Sequence, residues 1–277
     1  MVLSILIVGF REFSSGKTSI ARALIRWLRE KGISACGFKP KAGNNLWYDY
    51  DILHDALKEG RLYGKDAKLL KSASETNFPE EIINPIHRLW TFEPVEKKTF
   101  HEIPCFIIDR VTICNDKCFT HIIANDTAPL EPEEKSLLQK LFHNAEKVHH
   151  VSNLEELNSI TRRYYNYAVE KAHEKIVKQH EAIIYESYSN NAMPWNGIKK
   201  LNLVLAVEPG SIHVYDADKY LSAVNLSKDF LKKEISVSDV CELLKPLKTL
   251  KTSPYTSDEI VDKLKEKMDE IMLRFLS

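Results

Sequence analysis

The sequence has no net charge, no long apolar run, no CxxC pair and no internal repeat, and each lack excludes a class of protein. Lys and Arg number 39 against 39 Asp and Glu, so no chain-wide field draws the molecule to nucleic acid or to an anionic membrane. The apolar stretch Val2–Phe10 is broken by Ser4 and ends at Arg11, well short of the roughly 20 residues a spanning helix requires. A secretory leader would carry positive charge before that run and a small-residue cleavage site after it. Here Gly16-Lys17-Thr18 follows, and a cytoplasmic protein is expected. Five cysteines without a CxxC pair argue against a disulfide framework and predict free thiols.

What remains is a chain of 277 residues, 44% hydrophobic, long enough for a sizeable core. Leu3–Gly9 is a short β-branched apolar run ending in glycine. Thr18–Glu30 then repeats apolar residues at helical spacing (Ile20, Ala21, Leu24, Ile25, Leu28), and Ser34–Phe38 reads as a second strand. Helical patterning follows over Asp51–Ser74. Prolines 79, 85, 94 and 104 then punctuate a stretch where helices are not expected and Ile86–Phe92, Cys105–Ile113 and Phe119–Ala124 read as strands. Lys147–Val151 is a further strand, Asn153 to about Gln179 a long helix capped by Ser152 or Asn153, and Ala182–Tyr185, Leu201–Val207 and Ile212–Tyr215 more strands. A helix over Asp258–Leu276 closes the chain. Alternating strands and helices predict a three-layer α/β domain over residues 1–277 with a mainly parallel sheet and a β-rich insertion at 77–126. Ligands then belong at the carboxyl ends of the strands.

The segment from Gly9 to Thr18 lies between strand and helix, and its Gly16-Lys17-Thr18 is the GK[ST] end of a phosphate loop. Glycine lets backbone N–H groups approach phosphate, lysine neutralises the β- and γ-oxygens, and threonine offers a hydroxyl to Mg²⁺. The helix N-terminus adds the positive end of its dipole. The first glycine of the motif would fall at Arg11, and Gly9 is two residues too early. Ser14, Ser15, Gly16, Lys17, Thr18 and Ser19 are the expected nucleotide-binding residues. No [NT]KxD guanine-reading tetrad occurs, and Asn115-Asp116-Lys117 has the wrong order, which favours ATP over GTP.

With the phosphate loop in place, Gly37-Phe38-Lys39-Pro40-Lys41-Ala42-Gly43 resembles the GxKPxxxG segment of the dethiobiotin synthetases, members of the dimerising P-loop class called SIMIBI. Ile183–Pro194, after a long helix, resembles that family's apolar strand with its Glu-Gly-Ala-Gly-Gly motif and later proline. Leu203–Val207 with Glu208-Pro209-Gly210 corresponds to the strand leading towards the nucleotide base. The resemblance covers about half the chain. It departs at Ser187, Ser189 and Asn190, where the family has glycines, and at the stretch from Asn77 to Asp126. It implies a P-loop NTPase fold, ATP and Mg²⁺ as cofactors, a homodimer and a small-molecule acceptor. Thr18, Asp51 and Glu186 would be the metal partners, and Lys17, Lys39 and Glu186 the catalytic residues. Asp49 or Asp55 could take the place of Asp51. Asp109, ending the Walker-B-like run Cys105–Ile108, is an alternative partner for the metal.

Other groupings carry less. Cys114 and Cys118 with His121 and His101 fit no strong zinc spacing, and His149-His150 reads as strand-face histidines. Tyr164, Tyr165 and Tyr167 beside Arg162 and Arg163 could stack on nucleic acid or simply pack, and Trp195 could shape a pocket or anchor a loop. The sequence therefore predicts a Mg²⁺-dependent ATPase, synthetase or kinase. The competing reading is a nucleotide-dependent switch in which ATP orders a loop for a partner to recognise.

Overall fold

The computed structural model describes residues 2–12, 14–92, 99–100, 103–231, 234–256 and 259–272. Phe13 of the expected phosphate loop, His101 and the two ends of the expected Asp258–Leu276 helix lie outside the described residues. The chain divides into two compact units. The first comprises the described residues of Met1–Pro40, Leu69–Asn77 and Lys175–Ser277, and the second those of Lys41–Lys68 and Phe78–Glu174.

In the first unit, β1 (Leu3–Gly9) has no exposed side chain between Ile5 and Val8, which is why that run forms a central strand. Helix α1 (Lys17–Glu30) buries the predicted stripe of Ile20, Ala21, Leu24, Ile25 and Leu28. The next strand, β2 (Ala35–Phe38), does not pair with β1. Between them lies β10 (Ala182–Glu186), and beyond β1 come β11 (Leu203–Glu208), β12 (Ser211–Tyr215) and β13 (Lys248–Lys251), in the order β13-β12-β11-β1-β10-β2. The four strands from β11 to β2 are parallel, and β12 and β13 are antiparallel additions. Helix α9 (Ile260–Met272) packs on α1, where Trp27 Nε1–H donates to Asp269 at 2.9 Å. Helix α7 (Ala217–Leu231) lies against β11 and against the short α8 (Val237–Cys241).

The second unit is built on a five-stranded sheet in the order β3-β4-β7-β8-β9: β3 (Lys41–Asn45), β4 (Ile86–Trp90), β7 (Phe106–Cys114), β8 (Cys118–Asn125) and β9 (Lys147–Val151). The short ribbon of β5 (Thr99–Phe100) and β6 (Ile103–Pro104) precedes β7. Helices α2 (Tyr50–Lys58) and α5 (Pro132–Asn144) bury Leu53, Leu57, Leu138 and Leu141 with Leu89, Ile108 and Ile122 of the sheet. A separate cluster joins Phe106, Val111 and Ile123 to Leu157 and Ala168 of α6 (Leu154–Gln179). Asn153 caps α6, accepting the Glu156 N–H at 2.9 Å. The boundary between the units falls within α6 and within α3 (Lys65–Ser74).

Two expectations gain detail and two are corrected. The architecture is α/β: the first sheet has a parallel core of four strands with two antiparallel additions, and the second sheet is mixed. The strands expected as an insertion at 77–126 belong to a larger unit that also takes in β3, α2, α5 and most of α6. The proline-punctuated stretch contains a short helix, α4 (Glu80–Ile83), begun after Pro79 where a missing N–H costs nothing. Cys114 and Cys118 are not free thiols: they face each other at the end of the β7–β8 hairpin and form a disulfide, while Cys36, Cys105 and Cys241 are buried thiols. Spacing alone could not show that register. Among the described residues no helix is long and apolar enough to cross a membrane.

Candidate functional site at the carboxyl edge of the first sheet

The parallel strands of the first unit end together, with Ile7 beside Glu186, Gly9 beside Val207 and Tyr185 beside Phe38. Because β10 intervenes between β1 and β2, the chain leaving β1 and the chain leaving β2 both arrive next to the end of β10. Such an edge is where open α/β sheets bind ligands.

From β1 the chain turns into α1 through a loop that is tied to itself. The Ser15 hydroxyl donates to the Arg11 carbonyl at 2.7 Å and accepts the Arg11 N–H at 3.3 Å, so Ser15 is buried as a loop closure, while Ser14 is exposed. Ser14 and Gly16 have positive φ, and Gly16 stands directly before α1. The first turn of α1 holds no acidic residue of its own. Gly9, two residues early by the motif, has its own physical reason. A Cβ there would lie 2.7 Å from Ser15 Oγ and 2.9 Å from Lys17 Nζ, so the close return of the loop over β1 needs glycine.

Four expected site residues converge. Thr18 Oγ1 donates to Glu186 Oε1 at 2.9 Å, and Lys39 Nζ donates to the same oxygen at 2.7 Å. Glu186 is wholly buried and Lys39 nearly so, so Lys39 is not a solvated strand-end lysine. Lys17, also buried, donates to the Ser189 carbonyl at 2.7 Å in the loop after β10. Ser189 has φ 47°, a left-handed conformation at one of the positions where the resemblance has glycine. This loop is pinned by the Ala192 N–H to the Ile235 carbonyl and by the Val237 N–H to the Asn190 carbonyl. Trp195 in it is a buried anchor. Burial pushes the Tyr185 phenol up to about 12, so β10 ends in a single charge, that of Glu186. Lys17 and Lys39 bring two buried ammonium groups to this edge beside the Glu186 carboxylate.

Asp51 is in the second unit, exposed in the first turn of α2, and Asp55 is exposed on the same helix. Asp49 is occupied locally, accepting the Asn45 N–H at 2.8 Å and Asn44 Nδ2–H at 2.9 Å. The alternative partner Asp109 is buried and gripped by Arg88 through two bonds of 2.6 Å, with the Tyr165 hydroxyl donating to the same carboxylate. Burial opposes the Arg88 charge, yet the adjacent Asp109 outweighs it and holds the guanidinium pKa above its ordinary value. Both of its oxygens are committed to this pairing, so Asp109 is a structural residue. Tyr165 is used there, and Tyr164 packs on His121 and His149. The disulfide also removes Cys114 and Cys118 as zinc ligands. Among the described residues no three His, Cys, Asp or Glu side chains are grouped to hold a metal ion.

Sequence reasoning missed Gly9 as the packing glycine and Ser189 as the partner of Lys17. The signal for Gly9 was its place at the end of the apolar run, and none pointed to Ser189. No model of a known protein family matches the chain, and no curated protein matches it.

Proposed function

We propose that the protein binds ATP with Mg²⁺ at the carboxyl edge of the first sheet and hydrolyses it or passes its γ-phosphoryl group to a small-molecule acceptor. On this reading it is a P-loop NTPase of the dethiobiotin-synthetase-like kind. The observation that carries the proposal is the convergence of Thr18 and Lys39 on one oxygen of the buried Glu186, beside Lys17 and the N-terminus of α1.

Each residue then has a task. The first turn of α1 offers N–H groups and a positive dipole end to phosphate. Lys17 supplies a charge for the β- and γ-oxygens, and Lys39 one for the charge that develops as the γ-phosphoryl leaves. Thr18 and Glu186 are hard oxygen donors 2.9 Å apart, a set that fits Mg²⁺ when phosphate oxygens and water fill the rest of an octahedron. When bound, the ion neutralises charge between the phosphates. Keeping Glu186 ionised among two cationic side chains maintains that donor set. A homodimer, a cytoplasmic location and a preference for ATP over GTP belong to the same proposal.

The test is a calorimetric titration of Mg²⁺-ATP into the whole chain and into Lys17→Ala. Saturable binding to the parent and an affinity at least about tenfold weaker in the folded variant are expected, for the loss of one charge-assisted contact. Equal affinity would remove the phosphate-loop assignment.

A further inference from the structure

The second unit contains a cleft that plays no part in the reading above. It measures about 590 Å³ and is formed where the segment joining β3 to α2 meets the first turns of α5. Its size is that of a small-molecule site. Leu46 and Leu137 give it apolar surface, Trp47 and Tyr50 aromatic surface, and Glu133, Glu134 and Ser136 polar groups. Trp47 is 59% exposed and Tyr50 43%, although leaving large aromatic rings in water forgoes a substantial burial energy.

These rings are held in position. The Trp47 backbone N–H donates to Asn45 Oδ1 at 2.9 Å, which fixes the turn that carries the residue, and its ring meets Phe92 edge-on with centroids 6.2 Å apart, while the Tyr50 ring leans on His54 at 5.2 Å. Glu134 is oriented too, since its carboxylate accepts the Glu131 N–H at 2.9 Å in the capping box of α5. No lysine, arginine or histidine is among the residues that line the cleft. Two carboxylates would repel a nucleotide phosphate, whereas aromatic faces with carboxylates beside them attract a cation that carries an aliphatic body.

From this charge complementarity we propose that the cleft binds a free small organic cation, an alkylammonium compound whose carbon chain lies on Trp47 and Tyr50 and whose charge faces Glu133 and Glu134. Ser136 adds a hydroxyl able to accept an ammonium N–H.

The experiment titrates diaminopentane into the whole chain by calorimetry, with pentanediol as the neutral isostere and the tripeptide Gly-Lys-Gly as a peptide-borne ammonium. Saturable binding of the diamine is expected, with little or none of the diol. Glu133→Gln, which keeps the shape and removes the charge, and Trp47→Ala should each weaken the diamine about tenfold. Lys17→Ala should leave it unchanged, which separates failure here from failure of the ATP site. The proposal is overturned if the diol binds as tightly, if neither cleft variant alters the diamine, or if no saturable heat appears in the millimolar range. Tighter binding of the tripeptide would also overturn it, by assigning the cleft to a polypeptide lysine.

Discussion

Each unit buries a carboxylate on a strand and pairs it with a cation, yet the two pairings differ in kind. Asp109 lies within β7 and meets the planar fork of Arg88 through both oxygens, with Tyr165 as a third partner. Glu186 is the last residue of β10, and its contacts with Lys39 and Thr18 meet at one oxygen. An arginine fork satisfies a carboxylate geometrically and locks it. A lysine is a point charge on a flexible stem, which holds a carboxylate without fixing both oxygens. Position completes the contrast, since the middle of a strand is a place for packing and its carboxyl end a place for ligands.

That contrast can be broken most severely at Asp109. Asp109→Ala leaves the largely enclosed Arg88 without its counter-ion and should destabilise the protein by about 3 kcal/mol in denaturant unfolding. A loss below about 1 kcal/mol would mean that the pair is not structural. Glu186→Gln should do the reverse, sparing ATP binding and lowering turnover about 10²-fold in a steady-state phosphate-release assay. Parental turnover in that variant would sever Glu186 from the chemistry. At Gly9 the added methyl group of Gly9→Ala must displace Ser15 or Lys17, and the strain of about 1–3 kcal/mol should appear as weaker ATP affinity, measured by calorimetry. Unchanged affinity would show that the loop can relax.

The smallest expected effect concerns His121 and His149, whose rings lie 3.3 Å apart between nitrogens. Burial comes first and nearby positive charge second in His121, and burial followed by the charge of His121 in His149; both pKa values are lowered from 6.5. A lowered folded-state pKa means that the unfolded chain binds more protons below 6.5. The stability from this pair is therefore full above that pH and declines as pH falls towards the folded values. His121→Phe should flatten this decline in unfolding curves taken between about pH 7 and pH 5. An unaltered slope would place the acid sensitivity elsewhere.

What could be read from the chain follows the range of the interactions involved. Gly16-Lys17-Thr18 between an apolar strand and an amphipathic helix, Glu186 after Ala182–Tyr185, and Lys39 after the second strand were legible because each is marked by its immediate neighbours. The insertion of β10 between β1 and β2 was not, since strand order is decided by packing between segments far apart in sequence. Asp109 looked like a strand-end acid because Arg88 lies 21 residues earlier and Tyr165 56 residues later. The polar β3, Lys-Ala-Gly-Asn-Asn, carries no apolar alternation, and its pairing with β4 supplies what its side chains do not. The disulfide depended on a hairpin register that residue spacing leaves open.

The proposed nucleotide site lies at the edge of the first sheet and not in the charged interior of the second unit. Amide hydrogen exchange of the whole chain, with and without saturating Mg²⁺-ATP, tests it directly. Added protection is expected in Gly9–Ser19, around Lys39 and in Glu186–Asn191, with the amides of β7 around Asp109 unchanged. Protection that appears in the second unit while Gly9–Ser19 stays as it was would contradict the account.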